Sequence, residues 1–211
     1  MPRAKRNLQP NIPAHITHRG NNRQACFHQA TDYKHYLTWM AEYAEKFGCA
    51  VHAYCLMPNH THILMTPLTQ YSISLAMHGI GQRYAQYYNR KYHRTGAFFE
   101  RRFASKPIEH ERYFLSCMRY IEFNPVKANI TALPEEYAWS SYHCNGLGVP
   151  NTNITQHACY QDLGNDDKER QRAYQALMSL KFSDAELQGI MTHSVQPIGR
   201  PKKGKGGQAP F

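Results

Sequence analysis

Acidic residues are scarce in this 211-residue chain: 15 Asp and Glu stand against 25 Lys and Arg, a formal net charge of +10. Residues 1–31 contain no acid, and residues 82–106 contain Glu100 alone. An excess of that size argues for a polyanion as the partner. No run of eighteen apolar residues occurs, which excludes a membrane-spanning helix. The basic start Met1–Arg6 leads into no apolar run, so no secretory leader is expected. The cysteines Cys26, Cys49, Cys55, Cys117, Cys144 and Cys159 form no C-x-x-C pair. That excludes a zinc ribbon or a thioredoxin-type motif, and free thiols in a reducing cytosol are the expectation. Internal repeats are absent, and low complexity is confined to the Gly/Lys/Pro stretch 199–211.

What is present is the material of a folded core. Hydrophobic residues make up 42% and aromatics 12%, with 15 tyrosines, too many for a disordered chain. The length suits one domain with a small appendage. The basic surplus falls in three blocks, Arg3–Arg23, Arg83–Lys106 and Arg200–Lys205, while residues 160–190 hold six acids against four bases. Several basic segments converging on one extended polyanion would give this pattern.

Periodicity predicts an alternating order. Residues 14–20 (AHITHRG) read as a strand. A helix follows, with Thr31 as N-cap, Asp32 in its first turn and Gly48 as its stop. Residues 49–57 and 60–66 are strands around a Pro58–Asn59 turn. A second helix runs from Ser72 or Ser74 to about Tyr92. Residues 101–109 are a strand that Pro107 places at an edge. A third helix, 111–123, is stopped by Asn124–Pro125. The order β-α-β-β-α-β plus helix predicts an α+β, ferredoxin-like antiparallel sheet with helices packed on it.

His60 and His62, two apart on a strand, share a face and lie close enough to hold one ion. Leu56, Met57, Ile63, Leu64 and Met65 around them mark a buried strand, where two histidines need a reason. Tyr120 and Asn124, four apart, share a helix face if the helix persists. The Asn124 amide oxygen could join the two imidazoles as a third ligand. A neutral N/O set with open positions suits Mg²⁺ or Mn²⁺ beside a phosphate, although imidazole also suits Zn²⁺.

The segments MPNHTH, RTGAFFERRF, RYIEFNPVKA and YAWSSY, in that order, together with the opening HRGNNRQACF and the helix DYKHYLTWMAEYAEKFGC, resemble the REP-associated tyrosine transposases. These are a domesticated branch of the single-tyrosine HUH transposases, and the resemblance spans about residues 1–142. It implies a ferredoxin-like HUH nuclease, active on single-stranded DNA, in a domain of residues 1–150. A small helical extension (151–198) and a basic tail (199–211) follow. His60 and His62 match the paired histidines, Tyr120 the nucleophilic tyrosine, and Asn124 the position of a third metal ligand.

The implied reaction cleaves and rejoins palindromic repeats folded as hairpins. It passes through a 5′-phosphotyrosine, needs Mg²⁺ or Mn²⁺, and involves no small-molecule substrate and no membrane. The protein would act in the bacterial cytoplasm at the nucleoid, as a monomer or a homodimer. No general base is identifiable. The sequence departs from the family at Thr61, where a bulky apolar residue usually separates the histidines, and beyond Tyr142, where it does not match.

For DNA, Arg19, Arg23, Arg83, Arg90, Lys91, Arg94, Arg101 and Arg102 are the phosphate-contact candidates. Tyr87, Tyr88, Tyr92, Phe98 and Phe99 lie among them and could stack on unpaired bases. Arg200, Lys202 and Lys203 resemble a minor-groove hook. Three other readings stand beside this one. The fold could bind hairpins without cutting them. Tyr84 and Tyr88 could be the pair of a two-tyrosine replication initiator. The histidines could hold a structural zinc, whose removal would unfold the chain.

Overall fold

The computed structural model describes residues 8–191, so Arg200, Lys202 and Lys203 lie outside the described residues. The chain runs β1 (Ala14–Arg19), α1 (Ala30–Lys46), β2 (Cys49–Met57), β3 (His60–Pro67), α2 (Ser72–Lys91), β4 (Ala104–Pro107) and α3 (Phe114–Glu122). It continues through short helices α4 (Asn124–Lys127), α5 (Tyr142–Asn145) and α6 (Ala158–Gln161), then α7 (Asp167–Met178) and α8 (Asp184–Ile190). The strands lie in the order β2-β3-β1-β4, each pair antiparallel. This is the ferredoxin-like arrangement that the order of elements predicts.

The sheet carries a separate core on each face. Ala14 and Ile16 of β1, with Ile63 and Met65 of β3, pack under α1 and α2 with Tyr36, Met40, Ile80 and Tyr84. On the other face Leu64, Cys55 and Met57 meet Phe114, Cys117, Met118 and Ile121 of α3. The two faces of β2 serve the two cores, and a β-bulge between Val51 and Ala53 shifts the phase of its alternation. Val51 turns to the α1–α2 side, while Ala53, Cys55 and Met57 turn to α3. Residues beyond 150 complete the α3 side, to which they contribute the buried Tyr160, Tyr174 and Ile190.

Local chemistry shifts three predicted boundaries. The N-cap of α1 is Gln29 rather than Thr31, because the Asp32 carboxylate caps the chain before it: Oδ2 accepts from the His28 and Gln29 backbone N–H at 2.9 and 3.0 Å. Strand β4 keeps only residues 104–107 of the predicted 101–109, with Pro107 at the sheet edge and Phe103 buried on the α1–α2 side. The third helix starts as a 3-10 turn (Glu111–Tyr113). It breaks after Glu122 and restarts at once as α4, because Pro125 falls in a first turn, where its missing N–H costs nothing. Asn124 is therefore a helical residue in line with Tyr120.

Candidate active site

Alternation along the strands puts His15 and Arg19 of β1, and His60 and His62 of β3, on the face covered by α3. In the register Arg19 sits opposite His60. The two histidine rings are 4.8 Å apart, centroid to centroid. The Tyr120 ring stands edge-on to His62 at 6.0 Å and to His15 at 5.9 Å. One strand pair and one helix thus bring together the histidines and the tyrosine that the sequence singled out.

The hydrogen bonds decide which histidine nitrogens are open. Asn59 donates from Nδ2 to the Arg23 carbonyl at 3.5 Å, so its Oδ1 faces His60 Nδ1 at 2.6 Å and accepts the proton there. His62 Nδ1 meets His15 Nε2 at 2.8 Å. Neither His60 Nε2 nor His62 Nε2 has a hydrogen-bond partner among the described residues. Asn124 is buried, and its amide nitrogen donates to the Tyr120 carbonyl at 2.7 Å. A carbonyl only accepts, so the Asn124 Oδ1 is left as its remaining acceptor. Two imidazoles with satisfied Nδ1 and open Nε2 fit a divalent ion, and the contacts of Asn124 are with the Tyr120 helix rather than with either imidazole. No cluster of three His, Cys, Asp or Glu suited to a metal exists among the described residues, so a protein-only zinc cage has no support there.

The electrostatics are those of a neutral, buried donor set inside a basic rim. Burial, then the charge of Arg19, lowers the His60 pKa to about 4. Burial likewise holds His62 well below its ordinary value, with His15, His60, Arg19 and Lys127 adding to the effect. Tyr120 is pushed up, first by burial and then by Cys117, so its hydroxyl is protonated at neutral pH. The Lys127 ammonium lies 5.0 Å from the centre of the Tyr120 ring.

The basic candidates separate. Arg19 lies beside the histidines, and the Arg23 turn buttresses Asn59. Arg83 donates from Nη1 to both carboxylate oxygens of Glu42 (2.8 and 3.0 Å) and lies over Trp39, on the α1–α2 side. Lys91 pairs with the buried Asp32 at 2.7 Å, where Tyr87 and Tyr92 also donate, so it neutralises a carboxylate inside the fold. Arg90 is exposed at the end of α2, and Arg94 lies over the Tyr88 ring. Arg101 and Arg102 line, with Phe99 and Phe103, a cavity of about 660 Å³ beside α2. That places them across the sheet from the histidine pair.

Tyr84 and Tyr88 are buried in the core on the α1–α2 side. Their hydroxyls donate to the carbonyls of Cys26 and Ala25. Neither faces the histidines. Thr61 is fully buried and points to the same side, its hydroxyl 3.3 Å from Tyr36 Oη.

Sequence reasoning missed His15, Lys127 and the end of α8. Lys127 had a signal, being seven residues beyond Tyr120 on a helical face. His15 had none until the β1–β3 register was known.

The sequence profile of the family described as "Transposase IS200 like" matches residues 9–124, more than half of the chain. Among solved structures the chain is similar to a REP-associated tyrosine transposase bound to a REP hairpin, with a TM-score of 0.60 and 16% identity over 75% of this chain and 96% of that one. A bacterial tRNA(His) guanylyltransferase (Thg1)-like protein in complex with ATP shares 11% identity over 69% of this chain and 75% of that one, at a TM-score of 0.39. No curated protein matches the chain.

Proposed function

Because this chain belongs to the IS200-like transposase family, we propose that it cuts and rejoins single-stranded hairpin DNA through Tyr120. The observation that carries the reading is the packing of the Tyr120 ring against His62, with the Nε2 atoms of His60 and His62 free of protein partners. The hairpin as substrate rests on the fold shared with the hairpin-bound transposase.

His60, His62 and the Asn124 oxygen would hold Mg²⁺ or Mn²⁺. Such an ion supplies charge neutralisation and polarisation of a non-bridging phosphate oxygen. The residues of the chain do the rest. Arg19 lies beside His60 and steers the phosphodiester to the site. Asn124, bonded to the Tyr120 carbonyl, fixes the turn that presents the phenol. Tyr120 Oη releases its proton to solvent water, with Lys127 beside the ring to stabilise the phenolate. The oxygen attacks phosphorus, and the bond to the 3′-oxygen breaks. That oxygen leaves as a hydroxyl once it takes up a proton. The 5′-phosphotyrosine keeps one ester bond in place of another, so a second 3′-hydroxyl can reverse the step and rejoin a strand.

The test is a denaturing gel with labelled single-stranded hairpin from repeats flanking the gene. Wild type should give a covalent adduct with Mg²⁺ or Mn²⁺, lost with EDTA and with Tyr120→Phe. Tight hairpin binding without an adduct under either ion would instead make the protein a binding module. Tyr84→Phe and Tyr88→Phe should leave the adduct intact, because both hydroxyls are committed on the opposite side of the sheet.

A further inference from the structure

His15 is fully buried, and both of its ring nitrogens are engaged. Nδ1 lies 2.7 Å from the carbonyl of Ile190, the last residue of α8, and Nε2 lies 2.8 Å from His62 Nδ1. We propose that His15 is a positioning residue: held by the Ile190 carbonyl, it keeps His62 in the tautomer whose Nε2 lone pair is open to a divalent ion. This inference rests on the reading of His60 and His62 as an ion site.

Donors and acceptors around the two rings fix where the protons sit. A carbonyl oxygen only accepts, so His15 Nδ1 carries the proton. A neutral imidazole has one N–H, so His15 Nε2 is a lone pair. Two lone pairs at 2.8 Å would repel, so the proton between the rings belongs to His62 Nδ1. His62 then has its lone pair on Nε2. Without His15 nothing enforces this. A free imidazole side chain favours the opposite tautomer, with the proton on Nε2, where it blocks a metal.

The same logic serves His60, whose Nδ1 is set by Asn59 and the Arg23 carbonyl. The two relays differ in origin. The one through Asn59 comes from the turns flanking the histidine strand. The one through His15 comes from Ile190, 175 positions along the chain from His15. Helix α8 is held where its terminal carbonyl can act: Glu186 accepts from Ser116 of α3 and pairs with Arg119, and Lys106 of β4 donates to the Gln188 carbonyl. The extension beyond residue 150 thereby sets the chemistry of a site on β3.

Long-range ¹H–¹⁵N correlation of the imidazoles, on the full chain without metal or DNA, tests this directly. His15 and His62 should both show a proton on Nδ1 and none on Nε2. In His15→Leu the His62 proton should move in large part to Nε2, and affinity for Mn²⁺, read by titration calorimetry, should fall about 10- to 100-fold. His15→Gln, whose amide oxygen accepts at a similar reach, should keep the His62 tautomer and most of the affinity. If His15→Leu does not fold, the wild-type tautomer and His15→Gln decide.

Wild type that binds Mn²⁺ but carries the His62 proton on Nε2 beforehand overturns the role of His15 alone. So does a folded His15→Leu with wild-type affinity. Wild type with the expected tautomers and no Mn²⁺ binding overturns the ion-site reading, and with it the purpose of the relay.

Discussion

Glu122→Gln should change how stability depends on pH. The carboxyl of Glu122 is fully buried on α3, two residues beyond Tyr120. It accepts from Ser141 Oγ at 2.5 Å, Asn145 Nδ2 at 2.7 Å and Tyr174 Oη at 2.7 Å. Burial pushes its pKa from 4.5 up to about 7, and the three donors pull it only part of the way back. In the unfolded chain the same group titrates near its ordinary value. Between those two pH values the folded state keeps a proton that the unfolded state has released, so stability falls as pH rises through the window. A gap of about 2.5 pKa units at about 1.36 kcal/mol each makes the loss about 3 kcal/mol, absent below the lower value and complete above the upper one.

Glu122→Gln retains an oxygen for Ser141 and Asn145, and its amide can donate to the Tyr174 hydroxyl turned to accept. It therefore imitates the protonated carboxyl at every pH. Urea unfolding of both proteins, in steps from about pH 4 to about pH 8, should show the gap between them open with pH in favour of the variant, by about 3 kcal/mol. The buried histidines are common to both and cancel. A constant gap would mean that the carboxylate stays ionised on its three donors, and the reasoning would be refuted.

His52 works in the opposite sense. Burial lowers it from 6.5 to about 4 against the opposing bond from Nδ1 to the Thr155 carbonyl, so its share of stability is present above 6.5 and is lost as pH falls toward 4. His52→Gln should flatten that acid limb in the same urea series. Asp32→Ala removes the acceptor shared by Lys91, Tyr87, Tyr92 and two backbone N–H groups. It should cost about 3 kcal/mol and lower the thermal midpoint. Thr61→Val leaves the fully buried Tyr36 hydroxyl without its partner and should cost about 1–3 kcal/mol of unfolding free energy, read by urea titration, with adduct formation by Tyr120 unchanged.

Features carried by local periodicity were legible before any coordinates. The alternation through His60, Thr61 and His62 placed both imidazoles on one face, and the Pro58–Asn59 turn gave the hairpin. Spacing gave Tyr120 and Asn124 one helical face, and Pro107 marked the sheet edge. What was hidden depended on partners far apart in the chain. Lys91 read as a free cation until Asp32, 59 residues earlier, was found beneath it. Tyr84 and Tyr88 had the spacing of a catalytic pair, but strand alternation turns the histidines to the other side of the sheet. The start of α1 was misread because Thr31 looks like a cap, whereas the carboxylate one residue later reaches back to His28 and Gln29.

The bond between His15 and Ile190 also bears on when the protein becomes whole. Emerging from the ribosome, β1 comes early and the end of α8 some 175 residues later. The Tyr120 helix appears in between, with half of its core still to be made. Closing so long a loop is slow, and its reward comes only when the last helix docks. A chain stalled or clipped between Tyr120 and Ile190 would carry Tyr120 without the contacts that complete its surroundings, so the integrity of the distal third is written into the site itself.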